Sequence, residues 1–197
     1  MPTPSPLGTL QAAADGRSTL RFERQLNHPI ERVWRAITEP AELATWFPCR
    51  VELGTLARGA RLHFVFETEN VPDMDGEITE LEPPRLLAFT WGFDQLRFEL
   101  EPTGPGCRLV FSCTFSNDGI KAARDGAGWH VCLEQLEARL DGGAKAGAEQ
   151  TNARWQALHP AYVAQMGGRA MSHAEAVETA RAGLVREQAE AAGQRHT

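Results

Sequence analysis

Few residues of this chain have the types and spacing that could do chemistry. Asp73 and Asp75 flank Met74 in the stretch VPDMDG, and carboxylates that close together can divide acid and base roles. The stretch reads as a loop ahead of a strand, where solvated carboxylates are the plainer outcome. His63 and Glu67 share one face of a strand. Four strand residues separate them by roughly 13 Å, too far to share a metal ion. His130 stands next to Trp129 at the edge of an apolar helical stripe, either as a rim or internally satisfied imidazole or as a ligand contact. Cys49, Cys107, Cys113 and Cys132 are widely spaced, with no CxxC or CxxH pair. They read as buried reduced thiols, not disulfides or zinc ligands. The single tyrosine, Tyr162, falls outside the core domain, and Arg97 and Glu99 alternate outward from their strand. No GxSxG, HExxH, phosphate loop or Gly-rich dinucleotide loop is present. No catalytic residue, metal or cofactor is therefore expected.

The elements that must position these groups follow from periodicity. Residues 18–27 read as a strand. Residues 28–38 turn helical, with Pro29 suited to the first helical position and Ile30, Val33, Trp34 and Ile37 on one stripe. Pro40 opens a second short helix that gives out at Trp46 and Phe47. From 49 to 115 the period changes to two, with turns at Arg58–Gly59, "EPP", "GFD" and "TGPG". Leu96, Phe98 and Leu100 share one face, as do Leu109, Phe111, Cys113 and Phe115, so one side of an antiparallel sheet is buried. Residues 119–143 form a long helix with Trp129, Cys132, Leu133, Leu136 and Leu140 on one stripe, stopped by Gly142–Gly143. A further helix over 151–167 is interrupted or kinked at Pro160 and carries Trp155, Leu158, Tyr162 and Met166. A capping box, Ser172 to Glu175, precedes a last helix with a narrow apolar face.

Composition removes several function classes. A net charge of −6 and a pI near 5.5 argue against nucleic acid or an anionic membrane as partner. No run of about 18 apolar residues exists to span a bilayer. The N-terminus has no basic start or apolar block of the signal-peptide kind, and with four unpaired cysteines the expected location is cytoplasmic. The predicted organisation is a disordered lead-in over 1–17, one domain over 18–143, a trailing helical extension over 144–167 packed on it, and a weakly packed helical tail over 168–197.

The stretches "HPIERVWRAITEPAELATWF", "GEITELEPPRLLAFTW" and "GAGWHVCLEQLEARLDG" resemble the SRPBCC (START/Bet v1-like) superfamily. The branch they are most similar to is named for the C-terminal domain of the activator of Hsp90 ATPase. The resemblance covers about residues 18–143 and implies an α+β helix-grip fold, a curved antiparallel sheet around one long C-terminal helix. It also implies an apolar cavity between that helix and the sheet, closed at one end by the short helices. Trp46 and Phe47 would sit at the join of that lid. Phe64, Phe66, Ile78, Phe89, Trp91, Phe98, Phe111 and Cys113 would line the cavity from the strands. Trp129, Leu133 and Leu136 would line it from the helix. The expected function is binding of a small hydrophobic molecule such as a lipid, polyketide or aromatic metabolite. The alternatives are a cochaperone-like interaction module, with a protein partner or a homodimer, and a cyclase- or hydrolase-like enzyme. No N-terminal cochaperone domain fits within 1–17, which weakens the first alternative, and no convergent polar groups appear among the inward residues, which weakens the second.

Overall fold

The computed structural model describes residues 5–12, 15–66, 71–116 and 119–194. Eight strands form one antiparallel sheet in the order β1-β2-β8-β7-β6-β5-β4-β3. The strands are β1 Thr9–Ala12, β2 Ser18–Leu26, β3 Arg50–Leu53, β4 Arg61–Val65, β5 Met74–Glu82, β6 Leu86–Trp91, β7 Asp94–Thr103 and β8 Gly106–Phe115. Helices α1 (Ile30–Thr38) and α2 (Pro40–Leu43) follow β2. The long helix α3 (Lys121–Leu140) lies against the buried face and is followed by α4 (Ala148–Met166) and α5 (His173–Gln194). This is the helix-grip α+β architecture.

The period-two faces set the register. Leu96 pairs with Cys113, Phe98 with Phe111 and Leu100 with Leu109 across β7 and β8, while Phe22 and Leu20 of β2 face Phe111 and Cys113. All eight side chains are buried. Each such cross-strand pair contributes about 0.2–1 kcal/mol relative to a pair of alanines. The opposite faces carry ion pairs, Arg97 with Glu80 and Glu99, and Arg108 with Glu23 and Glu101. Both sheet edges are short and polar. β1 offers mostly exposed Thr9, Gln11 and Ala12, and β3 exposes Arg50 and Glu52 as a pair.

Helix ends follow their local chemistry, with small shifts from expectation. Pro29 sits just outside α1 as its cap, in extended conformation, so the helix begins at Ile30. Gly142, at φ +85°, ends α3. The Gly142 N–H donates to the Arg139 carbonyl at 3.1 Å and the Gly143 N–H to that of Ala138 at 2.8 Å, a double closure that needs a left-handed residue at that position. Pro160 does not break α4. It lies exposed inside a continuous helix whose packed face carries Trp155, Leu158, His159 and Tyr162.

Two expectations are corrected. The lead-in is not disordered over its described part. Thr9–Ala12 pair with Ser18–Arg21 as β1. Arg24 Nη1 donates to the Pro6 carbonyl at 3.1 Å, and Gln165 Nε2 to that of Gly8 at 3.0 Å. Tyr162, expected outside the core, is fully buried. Its oxygen accepts the Gly8 N–H at 2.9 Å and is hydrogen-bonded to His130 Nδ1, also at 2.9 Å. The other ring nitrogen, Nε2, lies 3.3 Å from Glu134. The ring reaches this depth because Gly126 of α3 has no side chain. A Cβ there would stand 2.8 Å from the tyrosine ring.

Tyr162→Phe keeps the ring and removes the hydroxyl, leaving a buried N–H and a buried imidazole nitrogen without a partner. Denaturant unfolding should show a loss of about 1–3 kcal/mol, with the far-UV circular dichroism of the folded state unchanged.

Candidate ligand-binding cleft

Most of the residues expected to line an interior cavity fill that space themselves. Trp46 Nε1 donates to the Ala36 carbonyl at 2.9 Å, and its ring meets Phe47 edge-on at 5.4 Å and Phe98 at 6.2 Å. Phe47 touches the rings of Phe64, Phe89, Trp91 and Trp129. Phe98 lies 4.8 Å from Phe111, which lies 5.0 Å from Trp129. Ile78, Cys113, Leu133 and Leu136 are no more than 1% exposed. Near the short helices a void of about 20 Å³ remains beside Phe47, Ile78 and Phe89, room for about one water. Trp46 and Phe47 are therefore core plugs and not a lid. The alternation of the strands says which way a side chain points. It does not say how far apart sheet and helix stand, and here aromatic rings from both layers close the gap.

Space opens instead at one end of the sheet, where three of the expected residues meet others that periodicity did not mark. A cleft of about 630 Å³ is bordered by Phe66, Trp91 and Trp129, with Trp155 of α4 and Ala176, Val177 and Leu184 of α5 opposite. The rings of Trp91 and Trp129 lie 5.9 Å apart, tilted by 68°. Trp155 is held by a 3.2 Å hydrogen bond from its Nε1 to the Arg124 carbonyl, stacks on His159 at 4.4 Å and meets His173 edge-on at 5.3 Å. It thereby links α3, α4 and the start of α5. Ala176 is buried and Leu184 packs against the core, so the last helix forms a wall of the cleft. On α3 the wall includes Gly128, around which a Cβ would meet nothing within 4 Å.

A knot of charge borders the same cleft. Lys121 Nζ lies 2.8 and 3.0 Å from the two Asp94 oxygens and 4.0 Å from Asp125. Arg124 Nε lies 2.7 Å from Asp125. Burial pushes the Asp94 carboxyl up from its ordinary 3.8 to about 6, with Lys121 pulling the other way. Burial acts downward on Lys121, but the charges of Asp125 and Asp94 outweigh it and its pKa rises. His173 is held down by burial. Cys132, also on the cleft wall, is pushed up to about 12 by burial, which keeps its thiol protonated and poorly nucleophilic.

The other residues singled out by type lie elsewhere. His130 meets Tyr162 through Nδ1 and lies outside the cleft lining. His63 sits on the outer face, 2.8 Å from Asp75 and 3.7 Å from Asp73, and hydrogen bonding to Asp75 raises its pKa. Glu67 lies outside the described residues. Among the described residues no group of three or more His, Cys, Asp or Glu side chains is arranged to hold a metal, and no helix is long and apolar enough to cross a membrane.

The family model described as "Activator of Hsp90 ATPase homolog 1-like protein" matches residues 27–141. The chain belongs to this family. The Hsp90-ATPase-activator-homologue-like match takes in Trp91, Asp94, Lys121, Gly128 and Trp129 and ends before α4 and α5. No curated protein matches the chain. Among solved structures, a conserved protein of unknown function from Enterococcus faecalis is similar at TM-score 0.65 and 22% identity, over 80% of this chain and 88% of its own. The solution structure of CalU16 from Micromonospora echinospora is similar at TM-score 0.65 and 20% identity, over 85% of this chain and all of its own. A Mesorhizobium loti protein is similar at TM-score 0.55 and 29% identity, over 63% of this chain and 97% of its own. At 20–22% identity the first two likenesses are likenesses of fold.

The raised pKa of Asp94 has a signed consequence. Between about pH 4 and about pH 6 the folded protein keeps a proton on Asp94 that the unfolded chain has released. Stability from this group is therefore greatest below pH 4 and falls as pH rises to 6. Unfolding free energies of the protein and of Asp94→Asn, measured from pH 4 to pH 7, should differ by an amount that changes across that window and levels off above it.

Proposed function

We propose that the protein binds a small hydrophobic molecule in the cleft between the Trp91–Trp129 wall and α5. The observation that carries this reading is Gly128. A glycine inside an exposed helix costs about 1 kcal/mol relative to alanine. The neighbouring Gly126 offsets that cost by admitting Tyr162, but no side chain packs into the space at Gly128. What its missing side chain provides is room in the cleft. A volume of about 630 Å³ falls within the ordinary range for small-molecule sites, which combine apolar and aromatic walls with a few placed polar groups. Trp91, Trp129 and Trp155 supply the walls and the Lys121–Asp94 pair the polar groups.

A ligand of about 20 heavy atoms at roughly 0.3 kcal/mol each gives about 6 kcal/mol, a dissociation constant in the tens of micromolar. Nile red, an uncharged apolar dye, should bind in that range, with blue-shifted emission. Gly128→Leu should fill the cleft and weaken dye binding at least ten-fold while unfolding at the same or higher denaturant concentration than the parent. Equal dye binding by parent and variant would place the dye elsewhere and remove the support for this site.

A further inference from the structure

We infer, resting on the ligand-binding reading above, that the cleft takes an uncharged aromatic molecule bearing an O–H or N–H donor, which packs on Trp91 and donates to the Asp94 carboxylate, and that it discriminates against anions. The first ground is register. Trp91 and Asp94 are direct cross-strand partners at the β6–β7 turn. Directly opposed residues project on the same face of a sheet, with Cβ atoms about 5 Å apart. A single planar ligand lying on the indole therefore has a carboxylate at its edge.

The second ground is charge balance in a desolvated place. Asp94 and Asp125 are matched by Lys121 and Arg124 at the distances given above, and the four side chains are between 8% and 18% exposed. Lys121 also lies 5.6 Å from the centre of the Phe115 ring, which anchors its ammonium from behind. Among the described residues of this cluster an added anion would find no surplus positive charge. It would stay unpaired or compete with Asp94 for Lys121, and both routes strand a charge away from water. A neutral donor meets no such penalty, because an ionised carboxylate accepts more hydrogen bonds than one ammonium supplies. At neutral pH Asp94, with its pKa near 6, is mostly ionised and able to accept. On α5, Arg181 is paired with Glu178, and half-buried Glu187 adds a negative charge near Asp94 and Lys121. Arg186 and Glu190 on the outer rim are exposed and of both signs, so screening leaves that last pair little weight.

The test uses two probes with one ring system, 2-naphthol and 2-naphthoate, titrated into the full chain at pH 7.5 and followed by ligand-observed NMR. The expected result is naphthol binding at least ten-fold tighter than naphthoate. In Asp94→Asn, which removes one negative charge from the cluster, naphthoate should gain and naphthol lose, closing or reversing the ratio. Asp94→Ser, smaller and still polar, repeats the test should the asparagine variant fold poorly. Equal binding of both probes to the parent, or an unchanged ratio in both variants, overturns this inference and leaves the ligand-binding reading standing. Binding of neither probe to the parent, together with Nile red emission unaffected by Gly128→Leu, overturns both.

Discussion

The seating of Tyr162 against α3 is the contact on which the cleft depends. One phenol oxygen joins three separate pieces of chain, the segment before β1, the long helix and α4, through Gly8 and His130. Glu134 then ties the same imidazole to Arg154 of α4 at 2.6 Å. Burial would raise the Glu134 carboxyl, but Arg154 and His130 hold it down at about 2. With α4 fixed in this way, Trp155, two turns earlier on the same helix, is carried to the Arg124 carbonyl and borders the cleft. The wall of the site is thus placed by a hydrogen-bonded contact that is not part of the site.

The interior pushes the site outward. Aromatic rings from β4, β6, β7 and β8 meet Trp46, Phe47 and Trp129 with centroids mostly 5–6 Å apart, the spacing of well-packed aromatic cores. With that volume filled, the room lies at the end of the sheet. There β6 turns back through Gly92 and Phe93, and α5 lies across from it. The concave face of the sheet is here filled as a core, and the open cleft lies at its rim. The family span holds β3 to β8 and α1 to α3, whereas one wall of the proposed site is contributed by α4 and α5, beyond residue 141.

What the sequence made legible is what periodicity controls. The alternation of Leu96, Phe98 and Leu100, the stripe from Trp129 to Leu140 and the Gly142–Gly143 stop all reappear as faces and ends. What it hid depends on distances between elements. β1 pairs through its backbone at an edge where its side chains are mostly exposed, so it has no apolar rhythm to read. Tyr162 looked peripheral because its seat, Gly126, is 36 positions away in the chain and belongs to another helix. Phe98 and Phe111 point inward as their alternation predicts, yet inward means against each other. Asp94 looked like an ordinary turn residue, and only the approach of α3 buries it and raises its pKa.

The two ends of the sheet bear on how the molecule behaves in company. Its exposed margins are β1 and β3, four residues each. One presents polar and small side chains, the other an arginine and a glutamate. An open margin is a template on which another chain can add a strand, and long apolar margins are where misassembly begins. Here each margin is too brief to hold a register, and a passing strand would meet hydrated side chains before it found a free carbonyl. The aromatic richness of the interior, which would make this chain a hazard if it were laid open, is thus sealed laterally as well as from above.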